Sequence, residues 1–310
     1  MIYTVTLNPA LDRTVYVDDF SLGEVNRANR DRSDAGGKGI NVSKTLNVFD
    51  CESLALALLG GSVGKQIEKQ LATLKVDCWP FYIEGETRTN TKIVDEKARI
   101  NTDINIGGPS VKQEIIDNML TLLLRIVEPT DIVILSGSLP QGADSAIYKT
   151  WIEALREKGV CTFLDADGEA FKQGIQARPY LVKPNVHELS QYAQKELSST
   201  EEILETAQDL LDKGIECLIV SRGAEGALFI TQNSAYSAPA LSVEVGSTVG
   251  AGDALVAGMA YARQHQMEME AAIKLSMATA AASVMQAGTQ APDKTAVEKL
   301  KADVVVHKLL

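Results

Sequence analysis

From about residue 110 onward, short apolar runs alternate with amphipathic stretches of helical length. Ile132-Val133-Ile134-Leu135 ends at Ser136-Gly137-Ser138, and a helical pattern follows over 144–158. Cys161-Thr162-Phe163-Leu164 ends at Asp165, and Tyr180-Leu181-Val182 ends at Lys183-Pro184-Asn185, with helix predicted from Glu188. A helix over 201–213 then leads into Cys217-Leu218-Ile219-Val220, which ends at Ser221-Arg222-Gly223. Strand-length runs separated by helices predict βαβ units and a mostly parallel sheet. Each predicted strand ends in polar residues or glycine, and open α/β sheets bind ligands at the carboxyl ends of their strands.

Two stretches break this pattern. Residues 11–33 hold Arg13-Thr14-Val15-Tyr16-Val17 and a turn at Ser21-Leu22-Gly23, and residues 87–106 hold two β-branched runs around a polar turn at Asp95-Glu96-Lys97. Imperfect alternation with β-branched residues predicts hairpins of a small, half-exposed sheet. The expected organisation is an α/β core over 1–10, 34–86 and 107–310, with 11–33 and 87–106 as an inserted β lid. Such a sheet suits a substrate cover or a dimer surface.

A chain of 310 residues suggests one large α/β domain or two units. Thirty Lys and Arg against 41 Asp and Glu give a net charge of −11. With no basic tract, nucleic acid is excluded as a partner, because phosphate contacts need a basic face. The four cysteines show no CxxC spacing, and the three histidines are scattered, so neither a disulfide framework nor a metal centre is expected. No apolar run approaches the roughly 20 residues that span a bilayer, and no signal peptide is read at the start. A cytoplasmic protein without a membrane partner is expected.

Two strings carry chemistry. Ser247-Thr248-Val249-Gly250-Ala251-Gly252-Asp253 precedes a helix over 254–263, and its glycines leave bare N–H groups at a helix start, an anion site. Asp253 faces that site as a possible base; the same string also fits a plain helix start with Asp on the dipole. Ala35-Gly36-Gly37-Lys38-Gly39-Ile40-Asn41-Val42-Ser43 forms a second glycine nest with a cation at its mouth. Two nucleotide motifs fail. Gly61-Ser62-Val63-Gly64-Lys65-Gln66 has Leu59 at the first glycine position of a phosphate loop and Gln66 in place of Ser or Thr, and Gly250-Ala251-Gly252 reaches Leu255 where a dinucleotide fingerprint needs glycine.

Gly36 to Asn41 together with Thr248 to Asp253 resemble the paired signatures of the ribokinase-like (PfkB) carbohydrate kinases. Thr6-Leu7-Asn8-Pro9-Ala10-Leu11-Asp12, Thr87-Arg88-Thr89-Asn90-Thr91-Lys92, Ser136-Gly137-Ser138-Leu139-Pro140 and Val182-Lys183-Pro184-Asn185 are similar to the branch of 1-phosphofructokinases and tagatose-6-phosphate kinases. The resemblance implies a three-layer αβα domain with a small β lid. It implies Asp253 as the catalytic base, with Gly250, Ala251 and Gly252 as the anion hole. Asp12, Gly37, Lys38, Asn41 and Ser138 would orient the sugar, and Arg27 and Arg88 would hold the phosphate it already carries.

On the nucleotide side, Lys183, Asn185, Thr248 and Gly252 would join Ser221, Arg222, Gly223, Ala224, Glu225 and Gly226 around ATP. Asn185 and Glu188 match an Asn-x-x-Glu pattern linked to Mg2+ through water, while a strand end plus a helix cap accounts for the same residues. Asp165-Ala166-Asp167-Gly168 departs from the family's pattern by an extra carboxylate and is left outside the expected site. The implied activity is ATP- and Mg2+-dependent phosphorylation of a ketose monophosphate, fructose 1-phosphate first, to the 1,6-bisphosphate. Tagatose 6-phosphate is the alternative, followed by fructose 6-phosphate and by a non-catalytic sugar-phosphate-binding regulator. A monovalent cation is a further possible ion, and a homodimer through the lid is expected. Arg27, Lys38, Arg88, Lys92 and Lys183 would then converge on one cleft, a local positive field in an acidic protein.

Overall fold

The computed structural model describes all 310 residues. The chain begins with β1 (Ile2–Thr6), then leaves the core for β2 (Ala10–Val17) and β3 (Arg30–Gly36) before α1 (Lys38–Val48). It continues through β4 (Ser53–Gly60), α2 (Gly61–Thr73) and β5 (Cys78–Ile83), and leaves the core again for β6 (Arg88–Asp95) and β7 (Ile100–Ile104). Next come α3 (Gln113–Ile126), β8 (Ile132–Ser136), α4 (Ile147–Glu157), β9 (Cys161–Asp165) and α5 (Gly168–Gly174). They are followed by β10 (Leu181–Val182), α6 (Val186–Ala193), α7 (Thr200–Asp212) and β11 (Cys217–Ser221). The last elements are β12 (Ala227–Thr231), β13 (Ser234–Ala238), α8 (Ala251–Gln264), α9 (Met269–Val284), α10 (Lys294–Leu300) and β14 (His307–Lys308).

Ten strands form one sheet in the order β14-β13-β12-β11-β10-β9-β8-β1-β4-β5. Pairing is parallel from β11 to β5 and antiparallel from β11 to β14. Alternate residues of each central strand feed opposite cores, as the two-residue pleat requires. Val133, Leu135, Leu164, Leu218 and Val220 pack with α3, α4, α6 and α7, whereas Ile132, Ile134, Phe163, Cys217 and Ile219 pack with α1, α8 and α9. Each fully buried Leu or Ile contributes about 1.5–3 kcal/mol. The result is the expected three-layer α/β architecture. The strand order reverses between β1 and β8, and that switch point is where a crevice opens in such sheets.

Two packing details aim elements at this crevice. Tyr148, buried on α4, donates its hydroxyl hydrogen toward the carbonyls of Ser136 (3.2 Å) and Gly137 (3.0 Å), and so holds the end of β8. Gly258 lets α8 lie against α9, since a Cβ there would come within 2.6 Å of Ser276 Cα. The second sheet has the order β3-β2-β6-β7. Its strand β3 runs three residues past the expected boundary at 33, because Ala35 and Gly36 still pair with Leu11 and Ala10. The helix predicted over 144–158 starts later, at Ile147, while α7 matches its prediction within one residue at each end.

Candidate active site

The two glycine strings meet at the switch point. Gly250 has φ of +86° just before α8, and a side chain there would find open space, its nearest neighbour being Asn41 Nδ2 at 3.9 Å. Backbone angle, rather than room, therefore calls for glycine. The N–H groups of Ala251, Gly252 and Asp253 in the first turn find no acceptor in the protein. Unsatisfied first-turn donors combined with the helix dipole make an anion site.

Asp253 is buried beside it, and its Oδ2 accepts a hydrogen bond from Asn41 Nδ2 at 2.8 Å. Burial and the charge of Asp165 push Asp253 up to about 6, while Lys38, the Asn41 bond and Lys183 limit the rise. Such a carboxylate is anionic at neutral pH yet basic enough to take a proton.

Asp165 stands at the centre of the charges, which corrects the sequence reading that left its loop outside. Its Oδ1 lies 2.8 Å from Lys38 Nζ and 3.4 Å from Lys183 Nζ. Burial alone would raise Asp165, but the two lysines outweigh it and hold the carboxyl below its ordinary range. Burial also opposes the charge on Lys38, yet Asp165, Asp253 and Glu188 keep its ammonium above the usual lysine value. Lys183 reaches over the start of α8: a Cβ on Gly252 would sit 3.2 Å from its Nζ. The missed signal was position, since Asp165 ends a central strand and Lys183 follows the end of its neighbour. Asp167 is exposed before α5 and takes no part in these contacts.

At the small sheet, Asp12 of β2 accepts from Asn90 Nδ2 of β6 at 3.0 Å, across a register pair. Burial raises Asp12 above the usual carboxylate range, against the pull of Asn90, Lys44 and Arg88. Its carboxylate occupies the space a Gly36 side chain would need, and Gly37, at φ +110°, has Thr6 Cγ2 where its Cβ would reach 2.8 Å. Asn8 was given no role from sequence. Its Nδ2 donates toward Ser138 Oγ and Gly107 O, both at 3.1 Å, and toward Leu139 O at 3.2 Å, so it fastens the chain returning from the small sheet to the end of β8. A cavity of about 190 Å³ lies under the small sheet, lined by Asp12, Asn90, Lys92, Asn105, Val249 and Gly288.

The expected convergence of five cations is only partly realised. Lys38 and Lys183 meet at Asp165, but Lys92 pairs with Asp103 at 3.0 Å, and Arg27 lies in an exposed loop between β2 and β3. Arg88 donates to Ile106 O (2.8 Å), Asn8 O (2.9 Å) and Pro9 O (3.4 Å). Three of its five N–H groups are thereby engaged on main chain, leaving two for an anion.

Beyond the end of β10, Asn185 caps α6: its Oδ1 accepts from Glu188 N at 2.8 Å, and Glu188 Oε2 accepts from Asn185 N at 2.8 Å. This reciprocal capping box is the structural alternative the sequence left open. Asn185 also bridges to Ser221 at the end of β11. Gly223, Ala224 and Glu225 form a single 3-10 turn, and Arg222 pairs with Glu225. Gly226 is tightly packed: a Cβ there would come within 2.6 Å of Ala240 N. Thr248 is exposed in the loop before Gly250. A cavity of about 820 Å³ opens around Arg156, Arg178 and Arg263 at the opposite ends of the strands and contains none of these residues. No three His, Cys, Asp or Glu side chains converge as a metal cluster, and no helix is long and apolar enough to cross a membrane.

The model of the pfkB family carbohydrate kinases matches residues 5–296. The 1-phosphofructokinase of Bacillus subtilis is 34% identical over 311 residues, covering 100% of both chains. The tagatose-6-phosphate kinase of Staphylococcus epidermidis is 33% identical over 292 residues, 93% of this chain and 94% of that one. Among solved structures, phosphofructokinase-2 from Escherichia coli in complex with substrates and products superposes with a TM-score of 0.93 at 26% identity, covering 97% of this chain and 98% of that one. That enzyme has also been solved in complex with potassium and in a tetrameric inhibited form.

Proposed function

The chain belongs to the pfkB family of carbohydrate kinases, and on that premise we propose that it transfers the γ-phosphoryl group of ATP to a hydroxyl of fructose 1-phosphate, giving fructose 1,6-bisphosphate and ADP. One observation carries the reading: a buried carboxylate, Asp253, held at about 6 beside a helix start whose N–H groups are free. A sugar-phosphate-binding regulator without catalysis has no use for that pairing.

In the proposed reaction Asp253 takes the proton of the acceptor hydroxyl as its oxygen bonds to the γ-phosphorus. The bond from that phosphorus to the β–γ bridging oxygen breaks, and ADP leaves with the electron pair. The N–H groups at the start of α8 hold the charge on the transferring group, and Lys183 and Lys38 stand beside it. Asn41 keeps Asp253 oriented, and its own Oδ1, buried without a partner, is an acceptor for a sugar hydroxyl. Asp12 and Asn90 line the cavity of about 190 Å³ under the small sheet. The two free N–H groups of Arg88 suit the phosphate already on the sugar.

The residues fit a magnesium ion that arrives on the nucleotide. Glu188 keeps one carboxylate oxygen outside the capping box, and Mg2+ is commonly held by one or two carboxylates, waters and substrate phosphates. Glu188 and Asn185 would hold it through water, and bound there it would neutralise phosphate charge. A monovalent cation stands in this reading as a second ion without an assigned residue. Exposed Ile100 and Ile104 on one face of β7, with Ile106 beyond it, support a homodimer through the small sheet. Four free cysteines and bacterial metabolic relatives support a cytoplasmic location.

ADP release measured over fructose 1-phosphate, tagatose 6-phosphate and fructose 6-phosphate tests the proposal. The highest kcat/KM is expected with fructose 1-phosphate. A higher value with tagatose 6-phosphate, which the Staphylococcus epidermidis relative favours, would move the assignment to that sugar. No turnover with any of the three would end the kinase reading for ketose phosphates.

A further inference from the structure

Lys44 has no part in the chemistry described so far. It lies on α1 three residues after Asn41, on the same side of the helix, and its side chain is buried. Its Nζ donates to two main-chain carbonyls, Ala35 O at 2.6 Å and Thr289 O at 2.5 Å, and it forms no ion pair. A buried ammonium bonded to carbonyls alone is costly to keep charged. Burial lowers Lys44 to about 8, with Asp34, Asp12 and Asp253 opposing the fall and Arg32 adding to it. The charge thus survives at neutral pH because carboxylates from β3, β2 and α8 surround it.

The two carbonyls belong to segments that carry the sugar side. Ala35 is the next-to-last residue of β3, followed by Gly36 and then Gly37. Asp34 is the register partner of Asp12 across β2 and β3, and the Asp12 carboxylate fills the space beside Gly36. Thr289 follows Gly288, whose missing side chain leaves room for the Asp34 and Arg32 side chains. One helix therefore holds the base through Asn41 and the root of the small sheet through Lys44.

We propose that Lys44 is a positioning residue for the acceptor sugar, its ammonium tying the root of β3 to the segment after α9 and so holding Asp12 and the Gly36-Gly37 turn in place against Asp253. This rests on the kinase reading. The wild-type chain is therefore assayed first: absence of ADP release there counts against that reading, and every effect at Lys44 is taken as a ratio to wild type with whichever ketose phosphate is used.

Lys44→Met removes both the donors and the charge. The expected result is a KM for the sugar phosphate raised about tenfold or more, with the KM for ATP changed less than about twofold. The acidic limb of the kcat/KM profile should also move to higher pH, because a cation facing Asp253 and Asp12 is gone. The limb reports loss of the charge, and the split between the two KM values is what a merely structural lysine would not produce. Lys44→Gln keeps a donor for one carbonyl and loses the charge; it should show the same split with a smaller rise in KM, and it decides the matter if Lys44→Met does not fold. A folded neutral variant with unchanged sugar-phosphate KM and an unmoved limb overturns the proposal. So does failure of both neutral variants to fold, which would make Lys44 a folding residue.

Discussion

Asn41 and Asp253 lie 212 positions apart in the chain, and the amide of one donates to the carboxylate of the other across 2.8 Å. The bond engages Oδ2 and leaves Oδ1 without a protein partner, so one oxygen is fixed and the other is free to take a proton. It also joins α1, which follows the first glycine nest, to the helix that opens the second. Charge-assisted bonds of this kind are the stronger ones in a buried site.

Asp253→Asn keeps the shape and removes the base. We expect kcat to fall on the order of 10²-fold or more. Calorimetric binding of the sugar phosphate should stay close to wild type. Turnover near wild type in the folded variant would remove Asp253 from its role.

The pH dependence follows from the sign of the shift. Asp253 must be ionised to act, so kcat/KM should decline as pH falls below about 6. Asp165→Asn removes a like charge and leaves Lys38 and Lys183 to act on Asp253, and both changes favour the anion. The acidic limb should therefore move to lower pH, even as kcat drops from the lost lysine contacts. A limb displaced to higher pH would contradict the placement of Asp165.

Two glycines separate backbone strain from crowding. At Gly250 alanine meets no close neighbour, so Gly250→Ala should cost about 1–2 kcal/mol from the left-handed backbone alone. At Gly37 the new Cβ must also displace Thr6 Cγ2 from 2.8 Å. Urea unfolding midpoints should therefore rank Gly37→Ala as the more damaging of the two.

Arg88 holds main chain and has two N–H groups left for phosphate. Arg88→Ala should raise the KM for the sugar phosphate far more than the KM for ATP. Steady-state kinetics with each substrate varied in turn separates the two. A change confined to ATP would place the sugar phosphate elsewhere.

Glu188→Gln preserves the capping box, since glutamine also accepts from the cap residue's N–H. Stability measured by thermal unfolding should hardly change, whereas the Mg2+ concentration giving half-maximal rate should rise. An unchanged requirement would leave Glu188 as a cap and nothing more.

Strand ends at Ser136, Asp165, Val182 and Ser221 were readable from hydrophobic runs of three or four residues, because burial on both faces of a parallel strand leaves a continuous apolar signature. The glycine strings were readable as nests for a similar local reason: positive φ and bare N–H groups are properties of a few adjacent residues. Pairings between distant segments had no such trace. Asp165 was set aside with a loop whose extra carboxylate is Asp167, yet two lysines from different elements make Asp165 the centre of the charge cluster. Arg27 and Lys92 were expected among the cations converging on one cleft; one is solvated and the other is paired with Asp103.

By itself, the sequence determined the layered α/β class, the inserted hairpins and the two glycine nests, and it singled out Asp253 as the base now proposed, all through short-range pattern and the resemblance those patterns carry. Tertiary structure alone decided which charges neutralise one another, which arginine is engaged by carbonyls, and that a buried lysine spans from β3 to the segment after α9. The physical reason is distance: a side chain's charge state and partners depend on what the fold brings within a few ångströms, whatever the separation along the chain.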